Sequence, residues 1–228
     1  MKKIILGFFV SLIASSALQA QITIIPKLGS SYATVALSDN IKNDFTPYTD
    51  YGYKIGFILG AAVEFPIVGD KLFLQPELLF HQKGWEETTD YFGLYESSYT
   101  LNYLELPVLF KYKLGNFYLN AGPSIAFGIG GKYKESYSYQ GFSEDYDGKI
   151  KFGDEPDFYE GDDYYIDNGL DFGAQFGAGV KAGPIIIDLR FGMGLSNLYD
   201  KPDGLSGDWK NQNRSFQLTV AYPILIGN

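Results

Sequence analysis

Few residues of this chain could carry out chemistry, and the single histidine, His81, is the first of them. An imidazole can act as general base for a neighbouring hydroxyl, so a histidine with a serine and an acid is typical of one class of hydrolase. The sequence contains no Gly-x-Ser-x-Gly motif, and no spacing assigns a serine to His81. The absence of cysteine excludes thiolate nucleophiles and thiolate metal sites. We therefore predict no catalytic residue, no metal ligand and no cofactor, and keep a hydrolase that uses His81 as an alternative.

A run of acidic side chains is the second chemical feature. The segment from Lys134 to Asn168 has eleven carboxylates and three lysines, a net charge of −8. Such oxygen-rich clusters suit Ca²⁺, although the spacing of a complete calcium loop is missing. A solvated external loop is the simpler interpretation, and divalent bridging to lipopolysaccharide is an alternative. The acidic candidates are Glu144, Asp145, Asp147, Asp154, Glu155, Asp157, Glu160, Asp162 and Asp163.

The elements that must position these side chains are β-strands, because apolar and polar residues alternate along most of the chain. In one segment Leu170, Phe172 and Phe176 share a face, while Asp171 and Gln175 share the other. Each segment exceeds the about 5–6 residues of an ordinary soluble strand and reaches the about 9–11 residues that cross a membrane. Eight such segments are predicted, at 22–34, 51–66, 72–84, 99–114, 117–132, 167–182, 185–197 and 213–224.

The connections between these segments alternate between short and long. Three are tight turns, at 67–71, 115–116 and 183–184, with Gly, Asn or Asp to supply the unusual backbone angles. Outer-membrane barrels have short periplasmic turns and long external loops. We therefore predict an all-β fold, an eight-stranded antiparallel up-and-down transmembrane β-barrel. The four long loops are predicted at 35–50, 85–98, 133–166 and 198–212.

The parity of the strands predicts a polar lumen. Five acids and five bases point inward, close to the neutrality that a buried charge network requires. A soluble lipocalin-like barrel is the structural alternative, but it would place its apolar side chains inside and its charges outside. The predicted lumen network is Lys27, Lys54, Glu64, Glu77, Glu105, Lys111, Asp171, Lys181, Asp188 and Arg190.

The N-terminus has the three-part pattern of a secretory signal peptide. Met1-Lys2-Lys3 is followed by an apolar run to Ile13, too short to span a bilayer, and then by small residues up to Ala20. We predict a signal peptide at 1–20 and a barrel at 21–228, with cleavage after Ala17 as an alternative to Ala20. The net charge of −9 argues against a nucleic-acid partner.

Short motifs carry a resemblance to a known family. The clearest are LQPELLF at 74–80, followed by Lys83-Gly84, and YLELPVL at 103–109, followed by Lys111. In order and spacing they resemble outer-membrane β-barrel proteins known as porin-family or PorT-like proteins. The resemblance covers essentially the whole mature chain. It implies an eight-stranded barrel in the outer membrane of a diderm bacterium, and some members look like accessory factors for secretion or surface assembly.

These observations predict a non-enzymatic barrel of the cell outer membrane with a largely plugged lumen. Its expected role is in envelope structure, in surface interaction or as an accessory to an outer-membrane or secretion complex. The alternative is a passive pore for small solutes. The expected partners are outer-membrane lipid and lipopolysaccharide, with a protein partner at the external loops, and the oligomeric state is left open.

Overall fold

A computed structural model describes residues 22–91, 93–153 and 163–226 of the chain. The predicted signal peptide lies outside the described residues. So do five of the predicted acidic residues, namely Asp154, Glu155, Asp157, Glu160 and Asp162.

The described residues form eleven β-strands and one short π-helix, the latter at Ile41–Phe45. Within this part of the chain, no helix has the length and apolar character needed to cross a membrane. The strands are β1 (Ile22–Leu37), β2 (Thr49–Val68), β3 (Leu72–Asp90), β4 (Leu94–Leu114), β5 (Phe117–Tyr139), β6 (Phe142–Phe152), β7 (Tyr164–Ile166), β8 (Leu170–Ala182), β9 (Ile185–Gly194), β10 (Asn211–Ala221) and β11 (Ile224–Ile226).

Eight of these strands form a closed antiparallel ring in the order β1-β2-β3-β4-β5-β8-β9-β10. The ring closes where β10 pairs with β1, with Leu28 opposite Val220. Each of the eight predicted segments overlaps one strand of this ring, so the predicted fold class is confirmed. The three predicted tight turns lie at one end of the ring, the inner end, and the opposite end is the outer end.

The outer end differs from the prediction, because two predicted loops are largely strand. The prediction of a long loop at 85–98 was wrong, because β3 continues to Asp90 and β4 begins at Leu94. Beyond Lys83, seven residues of β3 pair with residues of β4, from Gly84 opposite Thr100 to Asp90 opposite Leu94. The predicted loop at 133–166 is strand over most of its described part, because β5 continues to Tyr139 and turns at Gln140-Gly141 into β6. We call the outer parts of β3, β4 and β5 together with β6 the external extension.

A β-bulge marks the level at which the extension begins. Asn102 pairs with Gly130 and the next residue, Tyr103, pairs with Gly128, so one residue of β5 is unpaired. Below this point the free edge of β5 pairs with β8, and above it the same edge pairs with β6. Gly130 has a φ of +120°, which only glycine adopts without strain. One long strand thus serves both the barrel wall and the extension.

The barrel is apolar outside and charged inside. Large apolar side chains face outward around the ring, among them Leu28 (64% exposed), Ile55 (72%) and Phe110 (54%). The inward face carries buried lysines, acids and amides instead, such as Lys27, Glu77 and Gln217. This distribution contradicts the lipocalin-like alternative, and it satisfies a barrel whose outer surface contacts lipid.

Candidate functional site

The lumen is organised around Glu77 on β3. Arg190 on β9 donates two hydrogen bonds to this carboxylate, Nη1 to Oε2 at 2.8 Å and Nη2 to Oε1 at 2.9 Å. Lys27 on β1 donates a third from its Nζ, at 2.7 Å. All three side chains are buried. One carboxylate therefore ties together strands on opposite sides of the ring.

A second group of charges lies nearer the outer end. The Lys83 ammonium lies 3.3 Å from a Glu105 oxygen and 3.1 Å from an Asp171 oxygen. Asn213 also donates to Asp171, at 2.9 Å. The prediction omitted Lys83, although it has the same parity on β3 as Glu77 and His81 and could have been found from that signal.

A third group lies toward the inner end. Glu64 accepts hydrogen bonds from Lys111, at 3.0 Å, and from Lys113. Asp188 accepts from Asn120 at 2.8 Å and also from Tyr118. The structure thus brings eight of the ten residues of the predicted network into the lumen: Lys27, Glu64, Glu77, Glu105, Lys111, Asp171, Asp188 and Arg190.

Two predicted members of the network, Lys54 and Lys181, make no contact with its ion pairs. Lys54 lies beside a shift in the register between β2 and β3, which falls between Tyr53 and Ile58. The Lys54 ammonium donates to Ser98 at 2.6 Å instead and lies 3.7 Å from Glu86. Lys181 is exposed two residues before the turn at Gly183, where it lines the open inner mouth of the barrel with Glu64 and Lys111. Neither lysine forms an ion pair with another member of the predicted network among the described residues.

His81 has the partners of a catalytic triad but not the access. Its Nε2 lies 2.9 Å from Ser31 Oγ, and its Nδ1 lies 2.5 Å from Glu105 Oε2. All three side chains are buried, with the Ser31 residue only 1% exposed. The nearby cavity at Glu105 and Asp171 has a volume of about 10 Å³ and is lined by neither His81 nor Ser31. This geometry provides the hydrogen bonds of a nucleophile and base, but burial keeps both groups from solvent.

An apolar cluster closes the outer mouth above the charged network. Trp85 and Tyr99 stack with ring centroids 4.7 Å apart, and Tyr103 packs below them with the Lys83 ammonium 5.0 Å from its ring centroid. Residues of β6, β7 and the β9–β10 loop fold inward to complete the cluster. We call it the aromatic plug, and its main members are Trp85, Tyr99, Leu101, Tyr103, Ile150, Ile166 and Leu198. No sequence signal pointed to the plug.

The acidic candidates that the structure describes are on the external extension and beside it. Glu144, Asp145 and Asp147 are exposed on β6. Asp163 precedes β7 and forms an ion pair of 2.6 Å with Lys151. Over the described ranges, no group of three or more histidine or acidic side chains is placed to hold a metal ion.

A closed antiparallel ring with an apolar outer surface and a charged lumen defines an integral β-barrel of the outer membrane. The chain belongs to the family described as "Outer membrane protein beta-barrel domain", whose model matches residues 14–200. The protein is therefore located in the cell outer membrane. No curated protein matches the chain significantly.

Several solved outer-membrane barrels are similar to the chain at low identity. The attachment invasion locus protein Ail of Yersinia pestis, solved with the heparin analogue sucrose octasulfate, is 15% identical, with a TM-score of 0.40 and coverage of 90% of this chain and 99% of Ail. CarO2 of Acinetobacter baumannii is 12% identical, with a TM-score of 0.39 and coverage of 88% and 99%. Neisserial surface protein A is 8% identical, with a TM-score of 0.39 and coverage of 87% and 96%.

Proposed function

We propose that this outer-membrane barrel is a non-enzymatic surface protein whose lumen is closed to solutes and whose external extension makes contacts outside the cell. The observation that carries the proposal is the closure of the lumen at two levels. The ion-paired network fills the lumen within the membrane, and the aromatic plug covers its outer mouth. A passive pore needs an open, water-filled path, and the paired side chains and the plug would both block such a path.

The closed lumen also distinguishes this role from a passive pore. An eight-stranded barrel is just wide enough for side chains to fill its interior. Here charges such as Glu77 and Arg190 are paired across the lumen, and separating them costs free energy that a passing solute does not supply. The protein reconstituted in planar bilayers is expected to show no steady conductance. A steady conductance that Ser215→Phe reduces, since Ser215 faces the lumen, would favour the pore.

The burial of Ser31 supports the non-enzymatic part of the proposal. An acyl-transferring serine needs access to its substrate as well as a general base. A fluorophosphonate probe, which reacts with activated serines, is expected to leave Ser31 unlabelled in the folded barrel. Labelling that disappears in Ser31→Ala would contradict the proposal and restore the hydrolase.

The external extension supports a role in contacts at the surface. It presents carboxylates and tyrosines on paired strands, and tyrosine contributes large contact area at low cost in side-chain entropy. Tyr146 on β6 is 50% exposed, beside Asp145 and Asp147. We propose a protein partner at this surface, in adhesion or as part of an outer-membrane or secretion complex, while lipid and lipopolysaccharide surround the barrel.

Site-specific photocrosslinking in intact cells tests this contact. The photoreactive residue p-benzoylphenylalanine is placed at Tyr146, and a control chain carries it at Phe117, which is exposed at the inner end. A discrete protein product from position 146 that is missing from position 117 is expected. Crosslinks from position 146 only to lipopolysaccharide, or none, would contradict a protein partner and favour envelope support.

A further inference from the structure

A cavity of about 340 Å³ opens beside the aromatic plug at the outer end of the barrel. Its volume is within the range of about 300–1,000 Å³ typical of small-molecule sites. It lies between the plug, the short helix after β1 and the loop between β9 and β10. Five aromatic side chains and one carboxylate dominate its lining: Tyr51, Trp85, Tyr164, Tyr199, Trp209 and Glu87.

Hydrogen bonds hold the wall of this cavity in place. The Tyr199 hydroxyl donates to the Tyr164 hydroxyl at 3.0 Å, and Trp209 Nε1 donates to the carbonyl oxygen of Tyr199 at 3.2 Å. Tyr164 also packs against Tyr99 of the plug, with ring centroids 5.0 Å apart. The aromatic wall is therefore anchored to the plug and does not depend on a ligand for its order.

Glu87 is the only acidic residue that lines the cavity, and it lacks a cationic partner. Trp85 Nε1 donates to Glu87 Oε1 at 2.7 Å. Among the described residues no lysine, arginine or histidine forms an ion pair with Glu87, and the segment 154–162 contains no basic residue. Partial burial raises the pKa of the Glu87 carboxyl, and the nearby Glu135 carboxylate acts in the same direction. The charged form of Glu87 thus gains from a cation brought by a ligand.

We propose that this cavity binds a small organic cation, an ammonium group with apolar substituents such as a quaternary ammonium. Aromatic side chains attract such cations through the electron-rich faces of their rings, and the attraction is larger where water is excluded. Glu87 supplies the opposite charge at the same place. A neutral sugar would also contact aromatic rings and could donate hydroxyl hydrogen bonds to Glu87, but it would bring no opposite charge. The site is independent of the surface contacts proposed above.

The protein carries its own reporter for this site. The chain has two tryptophans, Trp85 and Trp209, and both line the cavity. Intrinsic fluorescence of the folded barrel in detergent is measured during titration with choline, at constant ionic strength. The parallel titration uses 3,3-dimethyl-1-butanol, which has the shape of choline without its charge. A saturable change with choline, at least about tenfold tighter than with the alcohol, is expected.

Two variants locate the charge that is responsible. Glu87→Gln keeps the acceptor for Trp85 and removes the negative charge, so choline is expected to bind about tenfold more weakly while the alcohol is unaffected. Glu86→Gln removes an exposed carboxylate one residue away and is expected to bind choline as the unmodified chain does. Equal binding of choline and the alcohol, or no saturable binding of choline, would overturn the proposal. This comparison of two ligands uses the unmodified chain, so it stands even if a variant fails to fold.

Discussion

At the scale of single residues, charge compensation decides which lumen side chains are indispensable. Glu77 balances Lys27 and Arg190 together, and all three are withdrawn from water. A buried charge that loses its partner keeps the cost of its desolvation without the compensating attraction. The most sensitive positions of the lumen are therefore the shared acids and not the individual bases.

Replacing Glu77 by Gln is expected to lower the free energy of unfolding by about 3–5 kcal/mol, because it leaves the buried Lys27 ammonium without an ion-pair partner and Arg190 with Asp188 alone. Urea unfolding of the barrel in lipid vesicles measures the change. Asp208→Asn is the control, because the ion pair between Asp208 and Lys210 is exposed to solvent. This substitution is expected to lower the free energy of unfolding by less than about 1 kcal/mol. Similar effects of the two substitutions would show that the network does not stabilise the barrel.

The Glu87 carboxyl gives a prediction about pH. Its pKa is raised in the folded state, so its ionisation is less favourable there than in the unfolded chain, where the value is about 4.3. The neutral Glu87 carboxyl contributes its full stability below the pKa that it has in the unfolded chain. That contribution is lost as the pH rises through the higher pKa that it has in the folded barrel. Glu87→Gln should therefore be more stable than the unmodified chain at pH 7.5 and equally stable at pH 3.5. Urea midpoints at both values test this, and a difference that persists at pH 3.5 would contradict it.

At the scale of elements, the external extension depends on close strand pairing at a few glycines. Gly84 on β3 has a φ of +144°, and a Cβ atom there would lie 1.9 Å from the Tyr99 carbonyl oxygen. An alanine would be strained in its backbone and would push β3 away from β4 at the base of the extension. The stacked pair Trp85–Tyr99 lies immediately above this point.

We expect Gly84→Ala to destabilise the plug, with a loss of more than about 2 kcal/mol or failure of the barrel to fold. The measurement is the temperature at which the folded band is lost on an electrophoretic gel. Gly52→Ala on the adjacent strand is the control, because its Cβ would contact the Glu86 Cβ at an ordinary 3.4 Å. If both variants keep the melting temperature of the unmodified chain, the pairing at Gly84 is not what holds the plug.

The ring of strands could be predicted because its signal is local. The period-two alternation is present in the sequence of every predicted segment, and the three tight turns join six of the ring strands in pairs. The strands at 85–90 and 94–98 lack that signal, since their Glu, Ser, Thr and Tyr residues have the composition of a loop. They are strands because neighbouring strands complete their hydrogen bonds, which a single segment cannot reveal.

In the candidate sites too, features with a local sequence signal could be predicted, and features made by distant contacts could not. Parity assigned most of the lumen charges correctly, because each strand runs regularly through the membrane. Lys54, beside a register shift, differs from the others because its ammonium contacts Ser98 on the external extension. The plug could not be predicted from the sequence, because Ile150 and Ile166 are far from Trp85 in the chain and join it only in the folded barrel. A buried serine beside His81 was likewise hidden, since Ser31 is distant from it in sequence.

At the scale of the whole molecule, the start of β1 at Ile22 lies at the inner end, as do the turns β2–β3, β4–β5 and β8–β9. The turn at Gln140-Gly141 lies at the opposite, outer end. An epitope inserted between Gln140 and Gly141 is expected to bind antibody on intact cells. The same epitope inserted at Gly183 is expected to bind only after the cells are permeabilised. The reverse pattern would show that the barrel has the opposite orientation.

The pairing of β1 with β10 has a consequence for the timing of biogenesis. The partners that close the ring, such as Leu28 and Val220, are roughly 190 residues apart in the chain. At a synthesis rate of about 5–20 residues per second, the first strand is made about 10–40 s before the strand that completes its pairing. Throughout that interval β1 has an unsatisfied edge, and an unpaired edge readily joins a wrong chain. We therefore expect the early strands to need shielding from other unfolded chains until the last strand is available to pair.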